Sequence, residues 1–407
     1  MTGSVAAGPR SRFGDGLATG TDLGLAAVDA VGAALAGLGG AAPDLVAVFV
    51  ATDDPDAAEA ALTAATREVG AGHVVGASVT GAIGAGRGVE EHGAVAVWAG
   101  ALPGAQLRAF HLEVLPGPSG LQALGLPPDD ETHRAGLLLA DPWSFPADAF
   151  VEGSAAVLPG VPLVGGMGAG RRGAGSTRLV LDGRLVDRGA VGVLVGGDVH
   201  VGALVSQGCR PVGPPMVVTA ADGKCLLGLA GASAVDRLER LMAELEPHDQ
   251  ALASRGLLLG VALDEYAESH DLGDFLIRPV LGVDRGSGGL VTAESVEVGR
   301  TVRFHVRDAA SADAELRRRL HTGPPHGGGV LLASCLARGR HLFSPALGGS
   351  DHDAQVVREL LRQPAVAGFF ADGEIGPAAG RNHLHTHSAS MLVFGPGDGR
   401  DDQEVRA

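Results

Sequence analysis

The sequence predicts an α/β protein of two related domains, each built from repeated strand-helix-strand-turn-strand units. Three observations carry that prediction. Apolar runs of strand length occur at 45–51, 136–140 and 330–335, each followed by a stretch with helical spacing. A second apolar run then ends in glycines spaced G-x4-G-x2-G, at Gly76, Gly81 and Gly84, at Gly165, Gly170 and Gly173, and at Gly368, Gly373 and Gly376. Finally, 45% hydrophobic residues in a chain of 407 can fill the cores of two domains of ordinary size. An α-β-β-α layered sandwich is the preferred arrangement, with mixed open sheets as the alternative.

Residues 1–20 read as a flexible lead without periodicity. Thr21-Asp22 caps a helix whose apolar residues run from Leu25 to Leu38 and stop at Gly39-Gly40. The first unit is strand 45–51, helix 57–69 opened by Pro55, strand 74–78, turn 81–84 and return strand 94–98, with a further strand at 107–115. After a Pro/Gly-rich connection at 116–131 the order recurs: strand 136–140, helix 147–158, strand 163–166, turn 168–175 and return strand 191–195. Asp182-Gly183, between alternating residues, is the strongest hairpin signal in the chain.

The expected domains are 21–228 and 229–396, followed by a charged tail at 397–407. Two helices, at 232–245 and 248–253, follow the Asp222-Gly223 hairpin, and the second domain opens with the strand after them. Strands at 256–263 and 275–283 then read as a unit that has lost its glycine spacing. Strand-rich 291–306 and a helix carrying Arg317, Arg318 and Arg319 follow. The last unit is strand 330–335, a long polar loop at 336–351, a helix containing 356–361, strand 366–370 and return strand 391–394.

Composition excludes several chemistries. The only lysine, Lys224, lies in a predicted Asp222-Gly223 hairpin, so neither a Walker phosphate loop nor a pyridoxal Schiff base fits. A net charge of -16 disfavours nucleic acid, whose affinity rests on cationic contacts with phosphates. Three cysteines do not make a disulfide framework and fit a reducing compartment. No apolar run has signal-peptide or membrane-spanning length, so a cytoplasmic protein without membrane insertion is expected.

Four segments carry a resemblance: SQGCRPVGPPMVVT at 206–219, RTVRFHVRDAASADAEL at 300–316, LLASCLARGRHLF at 331–343, and VAGFFADGEIGP with NHLHTHS between 366 and 388. Together they resemble the paired FIST N and FIST C domains, named for F-box and intracellular signal transduction proteins, over about residues 25–395. The combination of C-x-x-R-G with G-E-I-G is specific. The resemblance implies a soluble intracellular sensory module that binds small ligands, amino acids among them. Because the sequence contains no kinase, receiver, methyl-accepting or F-box segment, output through a protein partner is expected.

The residues themselves suggest where such a ligand would sit. Aligning the glycine turns without gaps puts Thr80 opposite Asp372 and Ala82 opposite Glu374, so the last unit has gained two carboxylates around Gly373. Cys335, Arg338, Gly339 and Arg340 follow the end of a strand, where ligands of open α/β sheets bind. Arginine beside Glu374 could grip the carboxylate and ammonium ends of a zwitterion. Asn382 and His385 add polar groups on the return path, and a weaker counterpart site is expected around Ser78, Thr80, Gly81 and Gly165.

Each residue also has a plainer reading. The glycines shape turns, Asp372 and Glu374 are solvated turn residues, and Cys335 is a buried small hydrophobe. His383, His385 and His387 alternate on one face, yet only His385 matches the family pattern, and no metal or other cofactor is expected. The rival functions are a thiol enzyme with Cys335 as nucleophile and a histidine as base, which needs an exposed sulfur, and a protein-binding scaffold, which needs an exposed apolar patch.

Overall fold

The computed structural model describes residues 10–91, 93–117, 120–129, 131–267, 273–323 and 328–395. The expected tail at 397–407 and the first nine residues of the lead lie outside them. The chain forms two compact units, one comprising 1–205, 319–384 and 389–407, the other 206–318 with 385–388.

The first unit begins with β1 (Arg12–Thr19), so the lead is not frayed throughout. Its RFGDGLAT sequence lacks strand-like alternation because β1 lies against the backbone of the next helix. A Cβ on Gly14 would stand 1.9 Å from the Ala34 carbonyl oxygen, and one on Gly16 would stand 2.1 Å from that of Ala30. That helix, α1 (Leu23–Gly37), starts where Asp22 accepts the amides of Gly24 and Leu25. Next come β2 (Leu45–Ala51), α2 (Pro55–Val69, capped by Asp54 and ended by Gly70 in the left-handed region), β3 (His73–Val79), β4 (Gly81–Gly84), β5 (Arg87–Val89) and β6 (Ala94–Ala101).

The second unit of the repeat contains β7 (Ala105–Gly117), β8 (Gly120–Leu124), β9 (His133–Ala140), α3 (Ala147–Gly153), β10 (Leu163–Met167), β11 (Leu179–Leu181), β12 (Arg184–Val186) and β13 (Ala190–Gly197). Positive φ at both Asp182 and Gly183 makes the expected tight turn between β11 and β12.

After β14 (Val201–Ser206) the chain enters the other compact unit: β15 (Cys209–Asp222), β16 (Cys225–Leu229), β17 (Ala232–Ser233), α4 (Ala234–Glu244), α5 (Pro247–Arg255), β18 (Leu258–Ala262), β19 (Phe275–Asp284), β20 (Gly289–Thr292) and β21 (Thr301–Arg307). Its strands are antiparallel, and β15 pairs with β21 through its first half and with β16 through its second. The order β15-β21-β18-β19-β20-β16 therefore closes into a barrel. Leu259, Phe304 and Leu290 belong to its apolar core.

The chain then continues through α6 (Ala309–Thr322), β22 (Gly329–Cys335), α7 (Gly339–Leu342), α8 (His352–Leu360), β23 (Ala365–Ala371), β24 (Glu374–Ala378), β25 (Arg381–His385) and β26 (Ala389–Phe394).

The fold class is as predicted, but the repeat occurs three times, not four. Each copy has a parallel pair (β2 with β3, β9 with β10, β22 with β23) and a returning strand antiparallel to the first (β6, β13, β26). The stretch expected to be a degenerate copy, 256–283, belongs to the antiparallel barrel, where β18 and β19 pair as a hairpin. Short strands have one propensity signature whether they pair in parallel or not. The compact units separate at 205/206 and 318/319.

The three copies exchange their hairpins. β4 of the first copy pairs with β23 of the third, β11 of the second with β3 of the first, and β24 of the third with β10 of the second. The result is three helix-covered sheets, β1-β6-β2-β3-β11-β12, β25-β24-β10-β9-β13-β7-β8 and β14-β26-β22-β23-β4-β5. Their inner faces share one core, to which Phe49, Leu137, Leu331 and Phe369 contribute, with Phe49 stacked on Phe369 at 5.0 Å. Three mixed sheets around one core thus take the place of the two packed sheets of an α-β-β-α sandwich.

Candidate functional site

The glycine spacing is explained by the exchange. At the first glycine of each motif two strands come too close for a side chain: a Cβ would stand 2.5 Å from the Val48 oxygen at Gly76, 2.0 Å from Leu138 at Gly165 and 1.7 Å from Leu332 at Gly368. In the first and third copies the second glycine, Gly81 or Gly373, stands at the start of the departing hairpin, whereas Gly170 lies within a longer connection. The turns then link the copies in a closed cycle: Gly81 pairs with Phe370, the Ala169 amide donates to the Ser78 carbonyl, and the Met167 amide donates to that of Gly373.

The predicted site residues fall into separate places on this frame. Gly165, Gly373 and Glu374 are brought together, because Gly165 pairs with Ile375 and Gly166 with Glu374. Asp372 is exposed, whereas Glu374 is fully buried. Ile375 lies in the apolar cluster on the α3 side of its sheet. Its strand neighbour Glu374 therefore faces the opposite side, toward the core shared by the three sheets. Placing a carboxylate there is costly. In the first copy the same position is Ala82, a core residue.

Asn382 is committed to the frame. Its Oδ1 accepts the Leu163 amide at 2.8 Å, while its Nδ2 donates to Ser154 Oγ at 3.1 Å and to the Val161 carbonyl at 3.0 Å. Ser78 Oγ accepts the Arg178 amide, and Thr80 is the buried single residue between β3 and β4. His385 is buried and belongs to the second compact unit, where its neighbour Thr386 donates to the Ile277 carbonyl.

The C-x-x-R-G-R stretch builds a lock. Arg338, fully buried, holds Asp353 of α8 through Nε at 2.7 Å and Nη2 at 2.9 Å. The same carboxylate accepts Ser334 Oγ and contacts His352 Nδ1, whose ring stacks on Phe343 at 3.4 Å. Burial pushes the Asp353 carboxyl up, but the Arg338 charge and hydrogen bonds outweigh it and hold the group far below the usual carboxylate range.

Gly339 is needed because Glu90 lies on it: a Cβ there would stand 1.8 Å from Glu90 Oε1. That oxygen accepts the Arg340 amide and Ser350 Oγ, both at 2.6 Å, and the Arg340 guanidinium spans Glu90 and Glu91. Both arginines thus hold carboxylates of the chain itself. Neither Glu90 nor Asp353 was among the sequence candidates, since each comes from a different element and no local spacing announces it.

Cys335 pairs with Ala371 beside Asp372, and 8% of it is exposed. The thiol-enzyme reading asks for an accessible sulfur, which this burial opposes. In the barrel unit, the SQGCR segment is anchored by Glu315, which accepts the Gly208 amide at 2.6 Å, and by Arg210, which binds Asp308 at 2.8 Å and Asp249. His305 is buried against Phe275, and desolvation lowers its pKa to about 4. Leu281 and Val283, two residues apart on β19, are exposed on one strand face.

No helix among the described residues is long and apolar enough to cross a membrane, and no group of three or more metal-ligating side chains occurs among them.

Comparison with known proteins gives matches to the FIST N domain at residues 44–232 and to the FIST C domain at 234–377. These sequence modules meet close to the predicted boundary, although the compact units divide elsewhere. The chain is 40% identical over 389 residues to "Uncharacterized protein Rv0628c" of Mycobacterium tuberculosis (strain H37Rv), covering 94% of this chain and 99% of that one. It is also 40% identical over 388 residues to "Uncharacterized protein Mb0898c" of Mycobacterium bovis, covering 94% and 98% respectively. With both domain models matched in succession and full-length relatives at this identity, the chain belongs to the FIST family.

Proposed function

We propose that the protein is a cytoplasmic sensory module that binds a small amino-acid-like ligand or related carboxylate at the Asp372-Gly373-Glu374 turn and signals through a partner protein. FIST domains are sensory and signal-transduction domains, which supplies the class of function. The observation that carries the site is Glu374. A fully buried carboxylate stands where the first copy closes the same fold with Ala82, so architecture alone does not require it. Asp372, exposed beside it at the carboxyl ends of β22 and β23, offers an approach for a ligand ammonium group.

Arg338 and Arg340 hold Asp353, Glu90 and Glu91, so the recognition centred on this turn is of the cationic end. A melting-temperature screen against amino acids, small carboxylates and divalent metals tests the reading, run in parallel with Glu374→Gln. A ligand at a hundred times its dissociation constant stabilises by about 2.7 kcal/mol. An amino-acid shift lost in the variant is expected; no shift with any compound overturns ligand sensing.

A further inference from the structure

The three copies provide an internal measure of what the fold requires. Between the second parallel strand and the departing hairpin, the first copy uses one residue, Thr80, and the third uses two, Asp372 and Gly373. The second copy uses eleven, 168–178, with the sequence GAGRRGAGSTR. Closing the exchange takes one or two residues, so the excess serves another purpose.

The long connection is held in place. Trp143, in the β9–α3 turn, donates its indole N–H to the Gly170 carbonyl at 2.7 Å; Thr177 Oγ1 donates to Ala169 and Ser176 Oγ to Gly173. A Cβ on Gly170 would stand 2.4 Å from Pro142 and 2.8 Å from the indole nitrogen, so glycine is required for this seat. The Trp143 turn is itself fixed by Asp141, fully buried, which accepts the Ser144 amide at 2.9 Å and its hydroxyl at 2.5 Å.

On this base stand two cations and an aromatic plane. Arg171 and Arg172 are exposed, and neither has an acidic partner among the described residues, in a chain of net charge -16. Trp143 is 58% exposed even though its N–H is bound, which leaves ring surface open to a ligand. All of these residues lie at the carboxyl ends of the parallel pair β9–β10, the side on which α/β sheets bind ligands.

We propose that the 168–178 loop and Trp143 form a second binding site, for a small planar anion. The ring of such a ligand lies on the indole, and its carboxylate or phosphate is held by Arg171 and Arg172. The loop leaves β10 next to the Glu374 turn, where the Met167 amide donates to the Gly373 carbonyl, but its ligand contacts, Trp143, Arg171 and Arg172, are not residues of that turn.

The two tryptophans make the test direct, because Trp98 is fully buried and Trp143 is the exposed reporter. The full chain is titrated with AMP, benzoate and inorganic phosphate while tryptophan emission is followed, and the affinities are measured again by calorimetry. Saturable quenching by AMP identifies a phosphate-bearing ring as the ligand class, and quenching by benzoate identifies an aromatic carboxylate. Arg171→Ala/Arg172→Ala, which removes no hydrogen bond or ion pair among the described residues, weakens binding by about tenfold to a hundredfold while the melting temperature is kept. Trp143→Ala abolishes preference for the ring over inorganic phosphate. Absence of saturation with all three probes overturns the proposal, as does binding unchanged in the double-arginine variant or affinity for phosphate equal to that for AMP and benzoate.

Discussion

Replacing Asp353 with Asn removes the charge that two guanidinium nitrogens of Arg338 bind in a fully buried setting. Shape is nearly conserved, so the loss is electrostatic. Breaking one side of a buried, bidentate pair costs about 3–5 kcal/mol. At ~2 °C per kcal/mol, the low end of the range for large domains, the melting temperature drops by about 6–10 °C. The pH dependence has a definite sign. The folded-state pKa of Asp353 is depressed, so its contribution is fully present above the ordinary carboxylate range and is lost as pH falls through the folded value. Melts between pH 7 and 3 should therefore show a steeper acid loss in the wild type than in Asp353→Asn. The double substitution Arg338→Met/Asp353→Leu, which replaces both charges with apolar side chains, should recover much of the loss. A single variant within 1 kcal/mol of wild type, on the scale of exposed ion pairs, would refute the buried-lock reasoning.

Other consequences of the same geometry are open to measurement. Gly368→Ala places a methyl group 1.7 Å from the Leu332 oxygen between paired strands, so it should cost about 3 kcal/mol or more and show as loss of soluble yield or a lowered melt. Gly339→Ala displaces Glu90 from its seat, so in a double-mutant cycle with Glu90→Ala the two losses, about 1–3 kcal/mol each, should be clearly less than additive. For His305, the folded pKa of about 4 lies below the unfolded value. As pH falls from 6.5 toward 4 the unfolded state gains a proton that the native state does not, and the barrel unit should lose up to about 3 kcal/mol. Imidazole resonances followed by NMR should show no His305 protonation above pH 5.

Much of the frame is legible in the sequence, for reasons specific to each element. LVAVFVA at 45–51 and GVLLASC at 329–335 are buried on both faces, so they read as continuous apolar runs. Asp22, Asp54-Pro55 and Asp182-Gly183 announce caps and turns through local chemistry. The exchange is not legible, because β4 finds its partner β23 almost three hundred residues away and glycine spacing does not name a partner. For the same reason Arg338 and Arg340 look like ligand-gripping arginines until Asp353 and Glu90 are seen to fill them. Asn382 looks like a polar site residue, yet it ties β25 to the segment before β10. What the aligned turns did show was the gain of Glu374 over Ala82. The longer second-copy turn holding Arg171 and Arg172 is hidden there, because identical glycine spacing gives all three turns one length and only the strand ends set it apart.

Hydrogen exchange of the native chain, with and without the amino acid that raises its melting temperature, tests the central claim most directly. The account predicts that the ligand slows exchange at the amides of 372–376 in wild type and leaves them unchanged in Glu374→Gln. Protection confined to other segments, with 372–376 unaffected, would contradict the placement of the sensory site at the Glu374 turn.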